Sequence, residues 1–178
     1  MKVSHGLPKG RWLAKLWENK KHFDAFVRGE NVAPIWKDFC HNGITNVGIH
    51  YVLEAAFRSD AMVPVAPIAP WFAGLIDDAS FTAVAAADTM GSHAGWIEAT
   101  TYDETERQTL AFAAAALRTI SAQVSFTMNA TKTLQGIFVA ENDAKSSTTL
   151  VLFSTALFTS APTVVSGNIL TANYALTD

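Results

Sequence analysis

Cysteine is nearly absent from this chain. The single Cys40 among 178 residues excludes an internal disulfide, so the fold must rest on a packed core, and an intracellular origin is expected. Charge is scarce as well. Only 16% of residues are Asp, Glu, Lys or Arg, while 49% are apolar; ordinary soluble domains carry about a quarter charged residues, so a surface partly covered by a partner is expected. Long apolar runs are also missing. AFAAAAL at 111–117 falls far short of the roughly 20 residues that cross a bilayer. The opening MKVSHGLPKGR has no uninterrupted apolar core of the kind a signal peptide needs. The expectation is a chain that is soluble or part of a soluble assembly, with one domain of ordinary size and room for an appendage.

What charge there is lies unevenly. Over residues 1–37, eight basic side chains (Lys2, Lys9, Arg11, Lys15, Lys20, Lys21, Arg28 and Lys37) face three acids, a net of +5. The remainder holds five basic and thirteen acidic residues, a net of −8. A basic arm on an acidic body predicts docking onto an acidic surface, with nucleic acid ranked last because one arm of modest charge is a weak electrostatic footprint.

The pattern RWLAKLWENKKHFDAFVRG predicts a helix over 11–29. Trp12, Leu13, Leu16, Trp17, Phe23, Phe26 and Val27 recur at helical spacing and Gly29 can stop it. Two tryptophans on so short an element need cover, either on the parent domain or on another subunit or protein. A short extended piece is expected over 35–40 with a turn at Asn42 and Gly43, then a helix over 45–58 capped by Thr45. Pro64, Pro67 and Pro70 make 63–70 a connection without regular structure.

Strands are expected over 71–76, 96–102, 107–112, 134–140, 149–154 and 169–176. Another follows from the alternation of Val124, Phe126 and Met128 against Ser125 and Thr127. Strands this short at such regular spacing predict an antiparallel β-sandwich, jelly-roll or Ig-like, over 38–178, preceded by a basic helical arm over 1–37.

Residues able to do chemistry do not form a site. His5, His22, His41, His50 and His93 match no zinc spacing, and Cys40 beside His41 has no second pair to complete four ligands. Asp77 with Asp78, and Asp103, Glu104 and Glu106, stand in turn sequences, where acids stay solvated and the backbone uses them. Asp88, Ser92 and His93 hold the letters of a triad within six residues, yet a triad is assembled from distant segments. Gly91 and Gly95 lack the Lys of a phosphate loop. The expectation is no enzyme activity, no cofactor and no metal. The binding side chains are instead Arg11, Trp12, Lys15, Leu16, Trp17, Lys20, Lys21, Phe23 and Phe26 of the arm.

Several segments occur in a telling order: ITNVGIHYVL at 44–53, WFAGLID at 71–77, AAADTMGSHAGWIE at 85–98, VSFTMNATKTLQGIFVAE at 124–141, LFSTALF at 152–158 and VVSGNILTANYAL at 164–176. With DTMGSHAGW the most specific of them, the succession resembles a recurrent group of virion structural proteins of tailed bacteriophages, over 36–178. The resemblance implies a non-enzymatic component of the virion. Joined to the basic arm, it gives the expectation of a capsid decoration (cement) protein on the capsid surface. Its partners would be the major capsid protein and, in a homotrimer, itself, with no membrane involved. A tail fibre, spike or adaptor component is the alternative, and a carbohydrate-processing enzyme would need a convergent acid pair that the sequence does not offer.

Overall fold

The computed structural model describes residues 9–57, 70–114, 116 and 119–177. Its elements are β1 (Lys9–Trp17), α1 (Lys20–Val27), β2 (Trp36–Ile44), α2 (Asn46–Phe57), β3 (Phe72–Asp77), β4 (Glu98–Ala99), β5 (Gln108–Thr109), β6 (Thr119–Thr127), β7 (Lys132–Ala140), β8 (Leu152–Leu157), β9 (Thr163–Val164) and β10 (Ile169–Thr177). The strands form one antiparallel sheet in the order β4-β3-β7-β8-β2-β1-β10-β6, with β5 added to β3 and β9 to β7. The protein is mainly β, a curled sheet accompanied by two short helices.

The first part of the expected helix over 11–29 is a strand. β1 pairs with β10 along its whole length, from Lys9 opposite Thr177 to Trp17 opposite Ile169, and with β2 from Arg11 opposite His41 to Leu16 opposite Trp36. Trp12, Ala14 and Leu16 alternate with Arg11, Leu13 and Lys15, a period of two that the same letters carry beside their helical spacing. A neighbour along the whole of one side and along Arg11–Leu16 of the other pairs most backbone groups of the strand, and that decides between the two periods. The helix survives only as α1. Asn19 caps it by accepting the His22 amide at 3.0 Å, and Gly29 follows its end at φ +84°, a left-handed geometry that glycine adopts without strain.

β2 is the pivot of the curl. Its first half lies against β1, whereas Asn42, Gly43 and Ile44 pair with Ala156, Thr155 and Ser154 of β8, so the expected turn at Asn42 and Gly43 is a change of neighbour inside a continuous strand. α2 begins directly after Thr45, whose hydroxyl accepts the Gly48 amide at 3.1 Å and itself donates to the Leu152 carbonyl. The connection expected over 63–70 lies outside the described residues except for Pro70, as does the opening 1–8.

Three expected strands are displaced or reduced. Segment 96–102 keeps only the two residues of β4, because Trp96 turns into a cluster on the outer side of the sheet while Tyr102 faces the inner core. Segment 107–112 keeps β5, and 149–154 gives way to β8 starting at Leu152. Segment 99–114 instead closes the curl: Asp103 donates to Thr127 at 2.8 Å, Asn129 to Thr101 at 3.2 Å and Ala113 to Ser121 at 3.2 Å. The outer edge of β6 is thereby covered, which removes a row of open backbone groups.

The core fills the curl. Trp12, Leu16, Leu75, Phe126, Ile137 and Tyr174 are among its fully buried members, with the Trp12 and Tyr174 rings 4.5 Å apart. Each large aromatic ring removes about 150–250 Å² from water, roughly 4–6 kcal/mol before entropy is counted.

Candidate docking face

The register of the four strands β2, β1, β10 and β6 lays their outward side chains in rows. His41, Arg11, Ala175 and Ser121 form one row. Phe39, Leu13, Asn173 and Gln123 form the next, and Lys37, Lys15, Thr171 and Ser125 a third. None of these outward positions carries a carboxylate. Arg11 lies 5.8 Å over the Phe39 ring and Lys15 5.1 Å over that of Phe26, within reach of cation–π attraction. Phe39, Phe26, Val27 and Ile35 are exposed, and together with the cations they make a basic, apolar-bearing surface.

The residues expected to bind a partner separate in the structure. Trp12 and Leu16 point into the curl and are fully covered by the chain's own core. Trp17 points outward but is buried under α1, its ring 5.9 Å from Phe23 and 4.6 Å from Phe26, its indole N–H on the Thr171 hydroxyl at 3.1 Å. These three anchor the chain to itself because strand pairing and α1 bury them, which corrects the free-standing arm. Arg11 and Lys15 are on the outer face. Lys20 and Lys21 are on the exposed side of α1, where Lys20 pairs with Asp24 at 2.8 Å.

The outer side of β3, β7 and β8 is dressed differently. Segment 78–97 folds over it, placing Phe81, Val84, Met90 and Trp96 against Ile76, Phe138, Ala140 and Leu152. Gly74 is required beneath: a Cβ there would stand 2.3 Å from the Phe138 ring. The DTMGSHAGW motif is the clasp of this layer. Asp88 accepts the Ala85 amide at 2.9 Å and the Trp96 indole N–H at 3.0 Å, and His93 stacks on Trp96 with Nδ1 2.9 Å from the Trp96 carbonyl oxygen. The Ser92 amide is held by the Thr89 hydroxyl, and Asp88 and His93 each bond to Trp96 at different atoms.

Two acid side chains are buried, Asp77, expected in a solvated turn, and Glu98, which lies within the strand expected over 96–102. Asp77 accepts from Lys132 at 2.6 Å and from the Ala79 amide at 2.9 Å. Glu98 takes a two-pronged grip from Arg107, 2.9 Å from Nε and 2.8 Å from Nη2, plus the Ser146 amide at 2.7 Å. Arg107 gives two further N–H groups to the Asn142 and Ser147 carbonyls, with Phe138 5.1 Å beneath its guanidinium carbon. The expected exposed turn over 103–107 therefore ends in a fully buried cation. Glu98 stands inside the strand expected over 96–102, and only long-range packing brings it to Arg107. Every oxygen of this carboxylate has donors, so it fixes segment 141–151 in place.

Among the described residues no three His, Cys, Asp or Glu side chains gather as a metal would require. Lys145 lies 3.7 Å over the Tyr102 ring, and partial burial lowers its pKa from the ordinary lysine value. The residues that sequence reasoning missed are Lys37, Phe39, His41 and Gly43; the alternation of KDFCH over 37–41 is the signal that could have found the first three. Comparison of the chain with protein-family models, curated proteins and solved structures finds no match.

Proposed function

We propose that the chain is a non-enzymatic structural protein of a tailed-bacteriophage virion, a capsid decoration protein that docks on the major capsid protein through the outer face of β2, β1, β10 and β6. The observation that carries this reading is the asymmetry of the outer surface: one half of the sheet is covered by its own loop layer, while the strands of the other present Arg11, Lys15, Lys37 and Phe39 with no acid at the outward positions of their paired rows, α1 covering only the end at Trp17. A sheet face with exposed aromatics fits an interface better than a free surface, and the one-signed charge of its strand rows fits an acidic counterpart. The resemblance over 36–178 supplies the virion context. In this reading the curled sheet is an antiparallel sandwich, jelly-roll or Ig-like, with β2 passing between its layers, and three copies gather around a symmetry axis of the shell.

Cosedimentation with emptied capsids of the encoding phage tests it. The intact protein is expected to pellet with shells and to be released by salt, since exposed charge contacts are screened. An Arg11→Glu, Lys15→Glu, Lys37→Glu triple variant should retain the fold and lose shell binding by about tenfold or more, roughly 1.4 kcal/mol. Full binding by the triple variant removes the face from the interface, and binding to tails in place of shells assigns the protein to the tail.

A further inference from the structure

The covered and bare halves of the outer surface meet at a step. Past His41 the outward positions of β2 continue to Gly43, which lies opposite Thr155 of β8. Segment 84–86 stands against them, tied down where the Asn46 amide donates to the Ala86 carbonyl at 2.8 Å. Between the two runs a groove of about 350 Å³, lined among others by His41, Gly43, Thr155, Leu157, Val84 and Ala86, at the lower end of the size range of ligand pockets. Its depth comes from Gly43, where an added Cβ would meet nothing within 4 Å.

The walls are aliphatic at Val84 and Leu157, and the adjoining row is cationic through Arg11 beside His41. The backbone of the wall is already engaged: Ala85 donates to Asp88 at 2.9 Å and Ala86 accepts from Asn46. An added strand would find few free partners there, so recognition falls to side chains. Gly43 and His41 are two residues apart on one strand, a spacing of roughly 6.6 Å, which equals the spacing of side chains i and i+2 on one face of an extended segment.

Resting on the docking reading, we infer that the groove receives a short extended segment of the protein partner, which places an aliphatic side chain over Gly43 and, two residues along, a carboxylate beside His41 and Arg11. The test is a titration of isotope-labelled protein with a synthetic peptide centred on Val-Thr-Glu, followed by amide NMR shifts. Peptides with Lys for Glu or Ser for Val serve as controls, and an oligothymidylate of equal length probes the nucleic-acid outcome. Saturable shifts centred on Gly43, Thr155 and Ala86, weaker by about tenfold with either control peptide, are expected.

Gly43→Trp, which fills open space on a strand, should abolish those shifts while leaving the rest of the spectrum dispersed; Gly43→Leu does the same service if the larger ring disturbs the fold. Equal shifts with the control peptides, shifts confined to other residues, no shifts, or a preference for the oligonucleotide each overturn the inference. Shell binding separates the two readings. If Gly43→Trp still cosediments with capsids while the triple charge variant does not, the groove inference fails and the docking face stands; if neither variant loses binding, both fall.

Discussion

At the scale of single residues, Glu98 and Arg107 show how much of this fold depends on one satisfied pair. Arg107 is sealed from solvent and shares two bonds with a carboxylate that is itself almost covered. Breaking such a pair leaves a lone buried charge, so Arg107→Met or Glu98→Gln should each destabilise by about 3–5 kcal/mol in denaturant unfolding. The pair Glu98→Gln with Arg107→Met should recover part of that loss, because no uncompensated charge remains; additive losses in the double variant would show that the two do not act as a unit. The inward set Val124, Phe126 and Met128 is legible in the sequence because alternation states it directly, and all three are buried. Arg107 is not legible. Its letters stand in a charged stretch, DETER, and only Glu98 together with the carbonyls of Asn142 and Ser147, some 35–40 residues away, gives it a reason to be inside.

Between residue and fold stand the elements, and β1 is the one whose identity changes the reading most. A segment with tryptophans at 12 and 17 satisfies a helical period and an alternating one at once. Its hydrogen bonds to β10 and β2 place it centrally in the sheet. A detachable arm could be removed without harm to the body. A central strand cannot, since its loss leaves β2 and β10 with open edges and the core without Trp12 and Leu16. Deleting residues 9–17 should therefore abolish cooperative unfolding and produce aggregation, as read by circular dichroism and size-exclusion chromatography. A soluble, cooperatively folded truncation would return β1 to the status of an appendage. The helix over 45–58 fares differently, because Thr45 caps a run that no strand competes for, and α2 forms within those bounds.

Across the whole molecule, the curl buries weakly acidic groups in their neutral forms. Burial pushes the Cys40 thiol from 9.0 up to about 12 and the Tyr174 phenol from 10.0 up to about 12, and it raises Tyr102 as well. The unfolded chain releases these protons near pH 9 to 10, while the native protein still holds them. Stability is therefore full below about pH 9 and falls as pH rises from there through about 12. Alkaline titration should show phenolate absorbance from Tyr102 and Tyr174 emerging together with loss of near-ultraviolet circular dichroism. Ionisation of both in a still folded protein would contradict their burial.

Composition and local pattern by themselves determine a mainly β, antiparallel chain with no disulfide, a basic front and an acidic remainder. They also determine most strands and the Thr45 cap of α2, since alternation and capping are properties of neighbours in sequence. Tertiary structure alone decides that Trp12 and Leu16 are core and Trp17 is sealed beneath α1. It also decides that Glu98 meets Arg107, and that Arg11, Lys15, Lys37 and Phe39 share one bare face beside the Gly43 groove. Strand register and the closing of the curl join residues that are distant along the chain, and such pairings are chosen by the energy of burial over the whole sheet, which no local window of sequence contains.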